Sequence, residues 1–409
     1  MKRKLIQQMR NEWRSNLWMG IELFIVGLVL WAIFSTFGFF ANLHQPPRDY
    51  DLTDIYHGDL WIVGKNKTTY KAYPDSAHNE WTDLSTLLSN LRNNPYVEML
   101  GTGNNALPYS YNYSGNQLTA DLDDRRESYN GNLRNMSPDF VRTIRLRGLN
   151  GETTEELATM IENGNIIISL YDGSRIESTP EQWRGRDVFW SYDSTRVEHV
   201  GAVIAGIRRN DYEPIFGGNI LKDNMWFPSE IAIRVKPGKG REFMESLKST
   251  DLEFGNVYIS NMQSIDRRRE SAHLNINTII RNLTTCAVFV LTAVFLGFLG
   301  SFWYKTQQRA PELALRRVNG ATRADLFRRL LGEGMLILLV SAVPTAAVGG
   351  FLLTNIDFEG ELGMPFPLVI PWLMFGAAMA ALALMIAAGI WFPASKAMKI
   401  DPAQALKDQ

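Results

Sequence analysis

The stretch GIELFIVGLVLWAIFSTFGFFA, residues 20–41, has one charged residue, Glu22, in an otherwise apolar run. A helix needs about 20 mostly apolar residues to cross a bilayer, so this stretch is long enough. Three further apolar segments follow a polar block, residues 42–281, at 282–304, 331–354 and 368–392. The pattern predicts four transmembrane helices, one before and three after a single inserted domain.

Basic residues are concentrated in three of the segments that flank the predicted spans, although the net charge is only −1. These segments are residues 1–19, the loop 305–330 and the tail 393–409, whereas the link 355–367 carries acids and no base. Because Lys and Arg mark the cytoplasmic side of membrane proteins, all three agree with one orientation. We expect both termini and the 305–330 loop in the cytoplasm, and the block 42–281 outside it.

The polar block is expected to form an α+β domain without disulfides, since the one cysteine, Cys286, falls in the second span. A domain of this length can be stabilised by its own core. The absence of disulfides favours a bacterial envelope protein, and the basic flanks place it in the inner membrane. Alternating patterns predict strands that include Val141–Arg147 and Glu230–Val235, and a helix at Thr154–Glu162. The Asn- and Gly-rich stretch 101–135 is predicted to be a long loop.

Two helices are expected beside the spans. Residues 1–19 have helical periodicity with bases between the apolar positions, which is typical of a helix lying in the membrane interface. A plain extension of the first span is the alternative. From Ser264 onward, a partly apolar helix is expected to act as a stalk between the domain and the second span, or simply as a juxtamembrane helix.

The 305–330 loop is predicted to present a short helix to a soluble partner. Pro311 and Glu312 suit a first helical turn, and Gly320 suits the position after a helix end. Thr322 and Asp325 have the spacing of a capping box for the next helix. The alternative is that the bases of this loop serve only membrane topology and contact with anionic lipids.

Residues 309–334, RAPELALRRVNGATRADLFRRLLGEG, resemble the signature of FtsX/MacB-type ABC transporter permeases. Val318 and Asn319 replace the small pair that is commoner there. The tail resembles the closing motif of that family, and the one-plus-three arrangement matches as well. Parts of the inserted domain, residues 137–148, 166–169 and 200–207, resemble the MacB-type periplasmic core.

The resemblance implies a permease subunit that acts by mechanotransmission. A separate cytoplasmic ATPase would bind ATP and Mg²⁺ and dock on the 305–330 loop, and a second permease copy or paralogue would complete a dimer. A periplasmic adaptor and an outer-membrane channel are further partners that the family suggests. The resemblance assigns ATPase coupling to Glu312, Arg316, Arg317, Gly320, Ala321, Thr322 and Arg323, and the tail motif to Pro393, Ala394, Pro402 and Leu406.

No catalytic, cofactor or metal site is expected in the chain itself. The sequence contains no G-x-x-x-x-G-K-[ST], H-E-x-x-H or G-x-S-x-G pattern. Glu22 and Glu333 lie within predicted spans, where a carboxylate is a functional candidate by default. Because both are near the predicted cytoplasmic ends, pairing with headgroups or with Arg328 or Arg329 is the favoured reading. Gly349 and Gly350 are expected to allow close helix packing.

Three functions are compatible with this sequence. The first is export or efflux of amphiphiles, peptides or lipoproteins. The second is an FtsX-like transducer that regulates an envelope enzyme without transport, although the domain here is larger than is typical of FtsX. The third is a membrane-anchored sensor without an ATPase, which the loop and tail motifs disfavour. The substrate is not encoded in any of these motifs.

Overall fold

The computed structural model describes residues 13–44, 49–75, 77–110, 112, 114–120, 128–170, 180–208, 210–212, 218–308, 322–356 and 367–397. The chain forms two compact units. One comprises residues 1–42 and 276–409 and contains the candidate spans. The other, residues 43–275, is the inserted domain.

In chain order, the described helices are α1 (Trp13–Leu43), α2 (Glu80–Arg92), α3 (Pro138–Thr143), α4 (Thr154–Glu162), α5 (Gly240–Ser246), α6 (Ile265–Gln308), α7 (Arg323–Asn355) and α8 (Val369–Ala397). The described strands are β1 (Ile55–Ile62), β2 (Val97–Asn104), β3 (Gly115–Thr119), β4 (Ser128–Met136), β5 (Ile166–Ser169), β6 (Asp187–Trp190), β7 (Asp193–Ile204), β8 (Gly218–Lys222), β9 (Glu230–Val235), β10 (Glu253–Phe254) and β11 (Val257–Ser264). Short 3₁₀ turns occur at Pro180–Trp183 and Ser249–Leu252.

Helices α1, α6, α7 and α8 are long and apolar enough to cross a membrane. Their shared core includes Ala378, Leu382, Ile386 and Ile390 of α8, all fully buried. Residues four apart lie on one face of a helix, so these four form a continuous stripe. Large apolar side chains such as Phe289 remain exposed on other faces. A helix that is apolar on all sides is typical of a membrane span.

One half of the inserted domain is a ferredoxin-like sheet. Its strand order is β11-β1-β9-β2, and every neighbouring pair is antiparallel. The chain order is strand–helix–strand twice, β1-α2-β2 and β9-α5-β11, which is the split βαβ pattern of this fold. Helix α2 buries Leu84, Leu87 and Leu91 on one face of the sheet, together with Phe243 of α5.

The other half is inserted between β2 and β9 and forms a closed barrel. Six strands pair in a ring, β4-β3-β6-β7-β5-β8, and the parallel pairing of β8 with β4 closes it. Closure removes the exposed edges that an open sheet would leave. All six strands contribute to its apolar core: Leu118, Tyr129, Ile166, Ile168, Val188, Trp190, Val200, Val203 and Ile220, with Trp183 from the 3₁₀ turn.

The α+β class of the inserted domain agrees with the sequence, but two local predictions were wrong. Residues Val141–Arg147 are not a strand, because α3 occupies Pro138–Thr143. Ser137 caps this helix and Pro138 occupies its first turn, and both outweigh the β-branched residues that follow. The stretch 101–135 is not a simple loop either, since it contains β3 and most of β4.

Candidate functional site

The 305–330 loop is described only at its ends. Of the predicted coupling residues, Glu312, Arg316, Arg317, Gly320 and Ala321 lie outside the described residues, as do Pro402 and Leu406 of the tail. Thr322 and Arg323 are described, at the start of α7. Pro393 and Ala394 fall in the last turns of α8. Most of the predicted interfacial helix, residues 1–12, is likewise outside the described part, and residues 13–19 belong to α1.

The predicted capping box at Thr322 is confirmed. The Thr322 Oγ1 accepts a hydrogen bond from the Asp325 backbone N–H (3.2 Å), and Asp325 Oδ2 accepts one from the Thr322 N–H (3.1 Å). Two donors that a helix start leaves unpaired are satisfied in this way. The Thr322 hydroxyl also donates to Asp325 Oδ2 (2.6 Å), and this bond, together with the one from the Thr322 N–H, holds the pKa of the Asp325 carboxyl below its usual range. The sequence at the end of the 305–330 loop therefore fixes where α7 begins.

The two intramembrane carboxylates both lie against other parts of the span unit. Glu333 is buried, and its Oε1 lies 3.9 Å from Nε of Arg329, one turn earlier on α7. The carboxylate of Glu22 packs against α6, where a β-carbon on Gly297 would come within 3.0 Å of Oε1. For Glu333 this geometry agrees with the expected pairing to a nearby arginine.

Trp31 of α1 organises the contact of three spans, which sequence periodicity does not reveal. Its indole Nε1–H donates to the Pro371 carbonyl of α8 (2.6 Å). Its ring fills the space above Gly349 of α7, where an added β-carbon would lie 1.6 Å from a ring carbon. The expectation of close packing at Gly349 is thus confirmed. Beside this contact, α1 and α7 line an apolar groove of about 440 Å³.

The first turns of α6 are joined to the inserted domain by a network of polar groups, most of them buried, which we call the junction network. It comprises His57, Tyr109, Asp211, Glu230, Arg268, Arg269 and His273. Arg268 Nε donates to the Tyr109 carbonyl (3.1 Å), and its Nη1 lies 3.1 Å from His57 Nδ1. The same nitrogen is 3.9 Å from Glu230 Oε2. One guanidinium thus connects α6 to two strands and a loop.

His57 is held as a neutral imidazole. Arginine has no acceptor, so the Nδ1 facing Arg268 must be the unprotonated nitrogen of the ring. Burial, together with the nearby charge of Arg268, lowers the pKa of His57 to about 4. Charging this ring would need a proton on the nitrogen that already accepts from a cation.

Glu230 fixes the segment that leads from β2 towards Tyr109. Its Oε1 accepts from the backbone N–H groups of Ala106 and Leu107 (3.1 Å for the second). Burial raises the pKa of this carboxyl, against the opposing effects of those hydrogen bonds and of Arg268. The carbonyls of the same segment accept from the buried guanidinium of Arg134, which also reaches the Ile207 carbonyl (3.1 Å). This segment is therefore held on both sides by ionic groups.

Asp211 is the second charged centre of the junction network. It is buried, and its Oδ1 accepts from the Tyr109 hydroxyl (2.9 Å). Its Oδ2 accepts from Arg269 Nε of α6 (2.6 Å). The pKa of the Tyr109 phenol is raised well above its usual range. Burial is the main cause, and the negative charge of Asp211 adds to it. Sequence analysis predicted a stalk helix from Ser264 but did not identify this site. The run Arg267–Arg269 is the one local signal that could have indicated it, since its partners come from distant segments.

No three His, Cys, Asp or Glu side chains converge as a metal site among the residues that the structure describes. The junction network has no exposed nucleophile with an adjacent base. The network is suited to holding α6 in a fixed orientation against the inserted domain, since charged hydrogen bonds fix orientation more strongly than apolar contacts do.

Comparison with known proteins relates the C-terminal part of the chain to a permease family. Residues 284–402 match the family model described as FtsX-like permease C-terminal. This range begins in the second span and ends in the tail, so it includes the 305–330 loop and three of the four candidate spans. Over these residues the chain is similar to permeases of the FtsX type.

A curated relative is the macrolide export ATP-binding/permease protein MacB of Sodalis glossinidius (strain morsitans). It is 29% identical over 148 residues, which are 35% of this chain and 22% of the relative. The chain thus spans less than a quarter of that relative's length. The extracellular domain of the noncanonic ABC-type transporter YknZ from Gram-positive bacteria aligns over its full length with 50% of this chain, at 10% identity. The TM-score of 0.29 is too low to carry an argument.

Proposed function

We propose that this chain is the transmembrane subunit of an ABC transporter that acts by mechanotransmission. A cytoplasmic ATPase binds the 305–330 loop, and the movements that ATP drives there pass through the spans to the inserted domain outside the cytoplasm. ATP and Mg²⁺ are bound by that partner. The observation that carries the proposal is the family match over residues 284–402, because it includes the loop and the spans that receive the movement.

The proposed complex lies in a bacterial inner membrane with both termini of this chain in the cytoplasm. It contains a second permease, identical or paralogous, and works with a periplasmic adaptor and an outer-membrane channel. Its cargo is an amphiphile, a peptide or a lipoprotein. The basic residues that flank three spans support this orientation, and the similarity to the macrolide export protein MacB supports export.

A second candidate keeps the ATPase but replaces transport by signalling. In this version the inserted domain switches an envelope enzyme in response to ATP turnover. The similarity of residues 284–402 to FtsX-like permeases is compatible with this version, whereas the similarity to MacB supports export. ATP-dependent efflux of a labelled amphiphile from intact cells that contain the whole complex distinguishes the two, since only export requires it.

The docking assignment is tested by purification of the complex from native membranes. Glu312→Ala and Arg316→Ala are expected to lower the amount of ATPase that co-purifies at least several-fold, while the protein still inserts. Arg241→Ala, at an exposed position of α5, is the control and should leave co-purification unchanged. Unaltered ATPase recovery and stimulation in both loop variants would refute docking at these residues.

A further inference from the structure

The segment that follows β7 contacts the end of α1. We call it the post-β7 segment, described at Arg208 and at 210–212. Arg208 Nη1 donates to the carbonyl of Leu43, the last residue of α1 (3.4 Å). The ring of His44, the next residue, packs on Tyr212 with 4.9 Å between ring centroids. The polypeptide therefore touches this segment as it enters the inserted domain.

The same segment contacts the first turns of α6, where the polypeptide leaves the domain. Asp211 accepts from Arg269, and its backbone N–H donates to His273 Nε2 (3.3 Å). The Tyr212 ring meets the His273 ring edge-on, with centroids 5.2 Å apart. His273 is four positions after Arg269, so both side chains point from one face of α6.

Asp211 is also tied to the core of the inserted domain. Its second carboxylate oxygen accepts from the hydroxyl of Tyr109, whose ring is buried in the core beneath α3 and α4. The side chain of Asp211 is 3% exposed. The buried carboxylate of Asp211 thus joins α6 to the interior of the inserted domain. Its neighbours Arg208 and Tyr212 contact Leu43 and His44, where the chain enters the domain.

Whether movement of α6 reaches the inserted domain depends on whether the contacts between them are polar or apolar. Apolar contacts are non-directional, so a helix held only by them can slide or rotate at little cost. A buried charged hydrogen bond has a narrow range of distance and angle, and breaking it leaves an unpaired charge. Asp211 therefore fixes the rotation and the register of α6 against the domain in a way that the apolar residues Ile265 and Ala272 do not.

We propose that Asp211 is the positioning residue through which movement of α6 is transmitted to the inserted domain, with Arg269 and Tyr109 as its two partners. This inference rests on the proposed function, since it requires ATP-driven movement of the spans. Beyond that function, the inference names the contact between the post-β7 segment and α6 as the place where movement of α6 becomes movement of the inserted domain.

The test is hydrogen exchange of the full complex, purified with its ATPase and reconstituted in nanodiscs, without nucleotide and with ATP and vanadate. In the unaltered complex, nucleotide should change amide exchange in the strands of the inserted domain. Asp211→Asn keeps the shape but removes the charge, and it should abolish that change while ATPase activity persists. Tyr109→Phe should reduce it, and Arg269→Lys should retain more of it than Arg269→Gln.

Glu198→Gln is the matched control. Glu198 is equally buried, with a side chain 3% exposed, and pairs with Lys222 and Arg196 in the barrel, away from the post-β7 segment. It should leave the nucleotide response intact. A full response in Asp211→Asn, or in Tyr109→Phe and Arg269→Gln if Asp211→Asn does not fold, overturns the inference. Equal loss in Glu198→Gln overturns it too, because the effect is then general destabilisation. No response in the unaltered complex overturns the proposed function, and with it this inference.

Discussion

The imidazole of His57 makes the inserted domain sensitive to acid. The pKa of His57 is about 4 in the folded protein, below the usual value of about 6.5 that applies to the unfolded chain. Between these values the unfolded chain binds a proton that the folded chain does not. Stability is therefore lost as the pH falls from about 6.5 to about 4, by at most about 3 kcal/mol from this residue.

Replacing His57 should flatten that dependence. We expect His57→Gln to lose less thermal stability than the unaltered protein when the pH is lowered from 7 to 5, because Gln carries no titratable proton. Thermal unfolding of the full chain in detergent, followed by tryptophan fluorescence, measures the difference. His199→Gln is the control, since the His199 side chain is 47% exposed. Parallel pH curves for His57→Gln and the unaltered protein would contradict the assignment.

Gly349 is the position in the spans where a single added methyl group should be most costly. Gly349→Ala would force the β-carbon into the ring of Trp31, which is itself fixed by its bond to Pro371. Overpacking of this kind costs about 1–3 kcal/mol. The expected result is a lower unfolding temperature in detergent. Gly376→Ala on α8 is the matched control, because no atom lies within 4 Å of the added carbon; equal effects would argue against the packing role.

The residues of the junction network show why a site of this type is hard to read from sequence. Arg268 and Arg269 stand out as charges at the start of an apolar helix. Tyr109 and Asp211 carry no such signal, because each is a polar residue in a segment with little periodicity. Their role appears only when β2, the post-β7 segment and α6 meet, over a separation of 102 residues between Tyr109 and Asp211 alone.

The capping box formed by Thr322 and Asp325 should stabilise the first turn of α7. Thr322→Ala removes the hydroxyl that accepts from Asp325 N–H, and loss of such a cap costs about 1 kcal/mol. We expect faster amide exchange over residues 323–326 and little change beyond the third turn. Thr322→Ser keeps the hydroxyl and should behave like the unaltered protein. Slow exchange in Thr322→Ala would mean that the start of α7 is held by other contacts.

The elements that sequence predicted well are those with strong local signals. Glu230–Val235 is a strand with the bounds expected from its β-branched pattern, and Thr154–Glu162 is a helix whose cap, Thr153, bonds the backbone of Glu156. The barrel was missed because β3 and β4 are rich in Asn and Gly. Their strand structure comes from pairing with each other and with β6 and β8, not from propensity.

The division of the chain into two units predicts that ATPase binding and the activity of the inserted domain can be separated. Replacing residues 43–275 by a flexible linker should abolish export or signalling, while ATPase binding is retained, because the proposed docking residues lie in the other unit. Co-purification of the ATPase with the shortened protein, together with an activity assay in the same membranes, measures both. Loss of ATPase binding in a variant that still inserts would show that the two units depend on each other.

The position of β9 in the ferredoxin-like sheet has a consequence for biosynthesis. Strands β1 and β2 do not pair with each other, since β9 lies between them. A ribosome finishes both long before it reaches residue 230, and the six-stranded barrel is made in the interval. Early strands with unpaired edges are prone to aggregate. The sheet therefore stays incomplete until the last fifth of the domain, residues 230–275, has been synthesised. During that interval we expect a chaperone or the translocation machinery to protect the unpaired strands.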